Sequence, residues 1–312
     1  FSECIGNTPI IKLKVASELS GCEVYGKCEF LNPGGSVKDR PALQIIKDAI
    51  KKKQIETGGT IVEGTAGNTG IGLCLVGNSI GMNSIIVMPR TQSNEKKKML
   101  KLCGAELKLV DALPYKNPGN YIRYSETLAK SITNKHGVLW ANQFDNLSNK
   151  KSHYLTTGPE IYNQLSKKVD AFICSIGTGG TISGVSEFLK EKNKNILIGL
   201  ADPMGSAMHN FYKNGKLKST GSSITEGIGQ GRITKNLENA VIDESFQISD
   251  AEALNIVYEM ISKEGLILGG SSGVNIMGAV KLGKLIGPNK KIVTILCDYG
   301  TKYESKIFNK KF

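Results

Sequence analysis

At 312 residues, with 40% hydrophobic and 22% charged residues, the chain is that of a globular protein large enough for two domains, and it holds no apolar run of membrane-spanning length. Its net charge of +12 comes almost wholly from lysine. Only four arginines occur (Arg40, Arg90, Arg123, Arg232), which argues against a nucleic-acid partner, because arginine does most base and bidentate phosphate recognition. The lysine runs at 51–53 and 96–98 read as solvated helix faces. Seven scattered cysteines without a C-x-x-C pair suit reduced thiols, and His136, His153 and His209 lack metal-ligand spacing. The chain opens at Phe1, not methionine. The expectation is therefore a cytoplasmic protein, or one of an organelle matrix or surface if an upstream targeting segment has been removed.

Strands are predicted at 23–30, 60–63, 84–88, 107–110, 139–141, 171–175, 196–201, 240–242 and 292–297. Helical periodicity falls between them, at 41–53, 68–80, 93–103, 120–135, 149–166, 181–192, 250–264, 272–286 and 302–309. This alternation predicts an α/β fold of open, twisted, largely parallel sheets covered by helices. A division near 148 gives an N-terminal domain (1–148) and a C-terminal domain (149–312), with the first thirty or so residues free to pack on either.

In such folds ligands bind where strands lead into helices. The first turn of this kind is Asn32-Pro33-Gly34-Gly35-Ser36-Val37-Lys38-Asp39-Arg40, where Ser36 or Asp39 can cap the following helix. An amine at a positive helix end loses proton affinity, so Lys38 is either a nucleophile for a carbonyl or a surface lysine. The second is Gly64-Thr65-Ala66-Gly67-Asn68-Thr69-Gly70, a nest for a small anion or a turn capped by Asn68. The third, Gly177-Thr178-Gly179-Gly180-Thr181, suits one phosphate at a helix start and matches neither nucleotide fingerprint. In Leu268-Gly269-Gly270-Ser271-Ser272-Gly273 a serine can bond a ligand ring or cap the helix. Gln143 follows a strand and offers an amide, and Glu226-Gly227-Ile228-Gly229 reads as a mobile flap. A lysine for an aldehyde, a cup for one phosphate, a serine for a ring nitrogen and an asparagine for a ring hydroxyl converge on pyridoxal 5′-phosphate.

These segments, with Gly6-Asn7-Thr8-Pro9, Asn142-Gln143-Phe144 and Thr157-Gly158-Pro159-Glu160, occur in the order of the cysteine synthase (O-acetylserine sulfhydrylase) and cystathionine β-synthase family, which the chain resembles over nearly its whole length. The resemblance implies the fold type II architecture, similar to the tryptophan synthase β subunit, with the active site in the cleft between a smaller, mobile N-terminal domain and a larger C-terminal one. It implies Lys38 as the Schiff-base lysine and catalytic base. Asn68, the cup of Gly177, Thr178, Gly179, Gly180 and Thr181, and Ser271 in preference to Ser272 become cofactor contacts. Thr65, Ala66, Gly67, Asn68, Thr69, Gln143 and Gly227 become substrate contacts. The implied reaction is β-replacement through an aminoacrylate, most simply O-acetyl-L-serine and sulfide to L-cysteine and acetate. Cystathionine synthesis, cysteine desulfhydration or serine β-elimination are alternatives, as is a non-catalytic regulatory homologue. An amino-acid substrate with sulfide or a thiol, a homodimer and a serine acetyltransferase tail are the partners implied. Two residues depart from the family pattern: Ala66 stands where a serine is common, and Pro41 follows Lys-Asp-Arg. No stretch of these 312 residues matches the regulatory or haem regions of some cystathionine β-synthases, so cysteine synthase is the expectation unless such parts have been removed.

Overall fold

In a computed structural model, which describes residues 1–309 and 311, the chain builds two sheets. The larger has the order β1-β2-β10-β7-β8-β9, from Ile10–Lys12, Glu23–Cys28, Lys291–Leu296, Ala171–Cys174, Leu197–Pro203 and Glu244–Ile248. The smaller has the order β5-β4-β3-β6, from Glu106–Val110, Asn83–Pro89, Thr60–Gly64 and Val138–Trp140. Every pairing is parallel except β1 with β2. The first thirty residues thus belong to the larger sheet. Helices α1 (Lys14–Ser20), α2 (Asp39–Lys51), α3 (Asn68–Asn78), α4 (Asn94–Leu102), α5 (Tyr121–Ser131), α6 (Ser148–Ser152), α7 (Gly158–Gln164), α8 (Gly180–Lys192), α9 (Met208–Asn214), α10 (Asp250–Glu259) and α11 (Gly270–Ile286) cover the faces.

Strand alternation sends Ala171 and Ile173 into one core with α1, α10 and α11, and Phe172 and Cys174 into another with α7 and α8. The smaller sheet likewise has two cores, one against α2 and α3 and one against α4. Burial on both faces makes the central strands nearly continuous apolar runs, which is why the sequence marks them so plainly.

Three expectations need correction. The strand expected at 240–242 is β9, Glu244–Ile248, a half-exposed edge strand, while Ala240 and Ile242 pack against the core beside it. Only a single 3₁₀ turn, Gly300–Tyr303, forms where a helix was expected at 302–309. The 149–166 helix is broken by a π-turn at His153–Thr157 between α6 and α7. Strand β1 and helices α1 and α9 are additional elements.

Candidate active site

The carboxyl ends of β2, β3, β6, β7 and β10 surround one cavity of about 380 Å³, with a smaller chamber of about 30 Å³ beneath it. Lys38 lies between the two. The turn that carries it is held by Asp39, whose Oδ2 accepts the Gly34 N–H at 2.5 Å, and by the Val37 N–H donating to the Cys297 carbonyl at 2.9 Å. Neither Ser36 nor Asp39 caps α2 as expected, because Asp39 closes the turn and Ser36 Oγ accepts the Lys38 N–H. Behind the turn, Arg40 forms bidentate pairs with both Glu29 and Glu160, and Lys27, fully buried, joins Glu160 at 2.6 Å. This network fixes α2 and hence Lys38.

The Lys38 amine has no hydrogen bond or ion pair among the described residues. Burial holds it below its ordinary proton affinity, and Cys297, Cys174 and Asp298 oppose that only in part. Burial in turn pushes the Cys297 thiol up to about 11, so it is a poor thiolate.

Thr65, Ala66, Gly67, Asn68, Thr69, Gln143, Gly177, Thr178, Gly227 and Ser271 all line the main cavity. Gly179 and Thr181 line the lower chamber. Gly180 lines neither, and a Cβ there would lie 2.0 Å from Asn149 Oδ1. The turn needs that closeness: Asn149 Nδ2 donates to Gln143 O and Thr178 Oγ1, both at 2.8 Å. At Gly177 a Cβ would meet the Gly227 carbonyl at 2.4 Å, which brings the flap onto the cup. Thr69 Oγ1 donates to Gln143 Oε1 at 2.5 Å, so these two hold each other. Ser272 is buried and accepts the Cys297 N–H, which leaves Ser271 as the serine on the cavity wall.

The donor set fits pyridoxal phosphate. An unpaired amine faces the cavity, the first-turn N–H groups of α8 have no intrahelical partner and Gly179 and Thr181 stand on the wall of the lower chamber, and only glycine fits at 177 and 180. A family model described as pyridoxal-phosphate dependent enzyme matches residues 1–298. The chain belongs to this family. It is 47% identical to cysteine synthase 1 of Neurospora crassa over 99% of this chain and 82% of that protein, and 46% identical to cysteine synthase 1 of Emericella nidulans over 100% and 85%. Among solved structures, the O-acetylserine-dependent cystathionine β-synthase of Helicobacter pylori superposes with a TM-score of 0.89 at 33% identity, covering 98% of this chain and 96% of that one. The enzyme is therefore a fold type II member, and pyridoxal phosphate is the cofactor of its family.

Sequence reasoning missed several residues of the site. Lys96, placed on a solvated face, is 2% exposed, pairs with Glu226 Oε2 at 2.8 Å and lies over the Tyr303 ring at 4.2 Å. Lys306 holds the other Glu226 oxygen, so the flap is fastened by two cations. His153, which the sequence marked only as a histidine without metal-ligand spacing, reaches the cup: its Nε2 lies 3.2 Å from Thr181 Oγ1, and burial holds it well below its ordinary value, hence neutral. Asn149 carried no motif at all. For Lys96, the helical register was a usable signal: residues 96 and 100 share one face of α4, and Leu100 is apolar. Among the described residues no helix is long and apolar enough to cross a membrane, and no cluster could hold a metal ion.

Proposed function

We propose that this chain is a cysteine synthase, exchanging the acetate of O-acetyl-L-serine for sulfide to give L-cysteine. The observation that carries the reading is its 47% identity to a cysteine synthase over 99% of its length. In this reading Lys38, Asn68, Ser271 and residues 177–181 hold the cofactor. Bound pyridoxal phosphate supplies an electron sink for the charge left at the substrate Cα. Lys38 removes the Cα proton, a task favoured by the burial that lowers its proton affinity. Thr65, Ala66, Gly67, Asn68 and Thr69, with Gln143 once it parts from Thr69, receive the α-carboxylate. Gly227, at φ +80, takes a left-handed backbone that glycine adopts freely, and this lets the flap close and exclude water. Within the N-terminal part, 1–148, the smaller sheet is the mobile unit, and the first thirty residues stay with the larger sheet.

The same reading includes a homodimer, contact with the tail of a serine acetyltransferase, and a cytoplasmic or organelle-matrix location; the seven free cysteines suit a reducing compartment. Ala66, with a methyl where a serine is common, favours a second reading in which the nucleophile is a larger thiol, giving a cystathionine-type product. The purified full chain is incubated with O-acetyl-L-serine and sulfide. Cysteine and acetate in equal amounts support the first reading, and no cysteine but condensation with homocysteine moves the assignment to the second. Lys38→Ala is expected to abolish both the visible absorption of the bound cofactor and turnover, and a surviving band would refute the role of Lys38.

A further inference from the structure

Asn68 does not face the cavity freely. Its Oδ1 accepts a hydrogen bond from Lys302 Nζ at 3.0 Å, and its Nδ2 donates to Asp298 Oδ2 at 2.6 Å. Asp298 follows β10 and Lys302 lies in the 3₁₀ turn beyond it, whereas Asn68 opens α3 of the other sheet. Both clamping side chains are themselves secured. Lys302 also donates to the Gly34 and Gly35 carbonyls at 2.8 and 3.1 Å, and Asp298 Oδ2 accepts the Tyr303 hydroxyl at 2.7 Å. Neither Asp298 nor Lys302 lines the cavity, while Asn68 does.

We propose that Asp298 and Lys302 are positioning residues that fix which end of the Asn68 amide meets the cofactor. Turning the amide by half a revolution would set its oxygen against the Asp298 carboxylate and its nitrogen against the Lys302 ammonium. Two charge-assisted hydrogen bonds would be lost, which disfavours the turned form by roughly a hundredfold or more. In the fixed orientation Nδ2 spends one hydrogen on Asp298, and its second has no partner among the described residues. The cavity is therefore offered an N–H donor, the polarity that an anionic ring oxygen of pyridoxal phosphate requires. A neutral or apolar neighbour at one clamp would remove one of the two bonds and with it part of the bias toward the fixed orientation. The inference rests on Asn68 being a cofactor contact.

The test is a double-mutant cycle on the full chain, stripped of cofactor and titrated with pyridoxal phosphate, read by the dissociation constant and the position of the visible band. Asn68→Ala is expected to weaken binding about tenfold and shift the band, as loss of one hydrogen bond to a charged group does. Lys302→Met should reproduce part of that loss with a band shift in the same direction, Lys302→Arg should restore both, and Lys302→Met added to Asn68→Ala should cost less than about twofold more. Asp298→Asn, which keeps the volume and drops the charge, serves if the Met variant does not fold, and it too should add little to Asn68→Ala. Additive losses, or a band unmoved by Lys302→Met while Asn68→Ala shifts it, overturn the positioning role and leave the cysteine synthase reading intact. No effect of Asn68→Ala removes Asn68 from the cofactor and the proposal with it.

Discussion

Glu63 offers a measurement that isolates one buried proton. It sits on β3 with its carboxyl fully enclosed; Oε1 receives the Gln143 N–H at 3.4 Å, and Oε2 has no partner among the described residues. Burial pushes its pKa from 4.5 up to about 8, with hydrogen bonds from Gln143 and Asn142 offsetting only part. The folded value is raised, so stability is fully present below pH 4.5 and is lost as pH rises, because the unfolded chain ionises first. The loss runs at about 1.4 kcal/mol per pH unit and levels off near pH 8, about 5 kcal/mol in all, a large part of a domain's usual stability. Asp39 and Asp202 are raised only to about 6, so between pH 6 and 8 Glu63 is the carboxylate that remains. Glu63→Gln keeps the shape and the acceptor for the Gln143 N–H but cannot ionise. Denaturant titrations of parent and variant at pH 6, 7 and 8 should therefore diverge by about 2 kcal/mol from pH 6 to pH 8, with the variant the more stable at pH 8. Parallel curves would mean that Glu63 is ionised at pH 6, and the argument from burial would be wrong.

Gly180→Ala sets two effects of opposite sign against each other. Alanine favours a helix by about 1 kcal/mol, yet its Cβ would displace Asn149 and release Thr178. The clash should win, weakening pyridoxal phosphate binding about tenfold in the titration above; unchanged affinity would show that Asn149 does not shape the cup. Arg40→Met strands Glu29 without its cation and should lower unfolding free energy by about 3–5 kcal/mol, with Glu29→Gln added to it recovering part of the loss in thermal melts. A loss below about 1 kcal/mol would mean that the network is not what fixes α2.

Much of this arrangement is legible in the sequence because parallel sheets bury their strands on both faces and because tight strand–helix turns demand small residues. Gly177 and Gly180 advertise the cup for a steric reason, since no side chain fits. Ser271 and Ser272 could be ranked only by resemblance; the structure separates them, because Ser272 is spent on the Cys297 N–H. What stayed illegible are elements stabilised by distant partners. β9 is a polar edge strand with little apolar pattern of its own, and β1 is three residues long. Lys96 looked like one of three equivalent surface lysines, yet its partner Glu226 lies 130 residues away. Lys302 reaches Asn68 across 234 residues and Asn149 reaches Thr178 across 29, and no local spacing announces either.

The place of β10 sets the order in which this chain can be built. Its register pairs Lys291 with Glu23 on one side and Ile292 with Ala171 on the other, so it fills the centre of the larger sheet. During synthesis β2 emerges early and then waits, its inner edge unpaired, until residues near 296 leave the ribosome. The smaller sheet takes its strands from 60–140 and can close long before. A chain arrested before residue 291 would thus carry one finished sheet and two open edges, at β2 and β7, each a template for pairing with another copy.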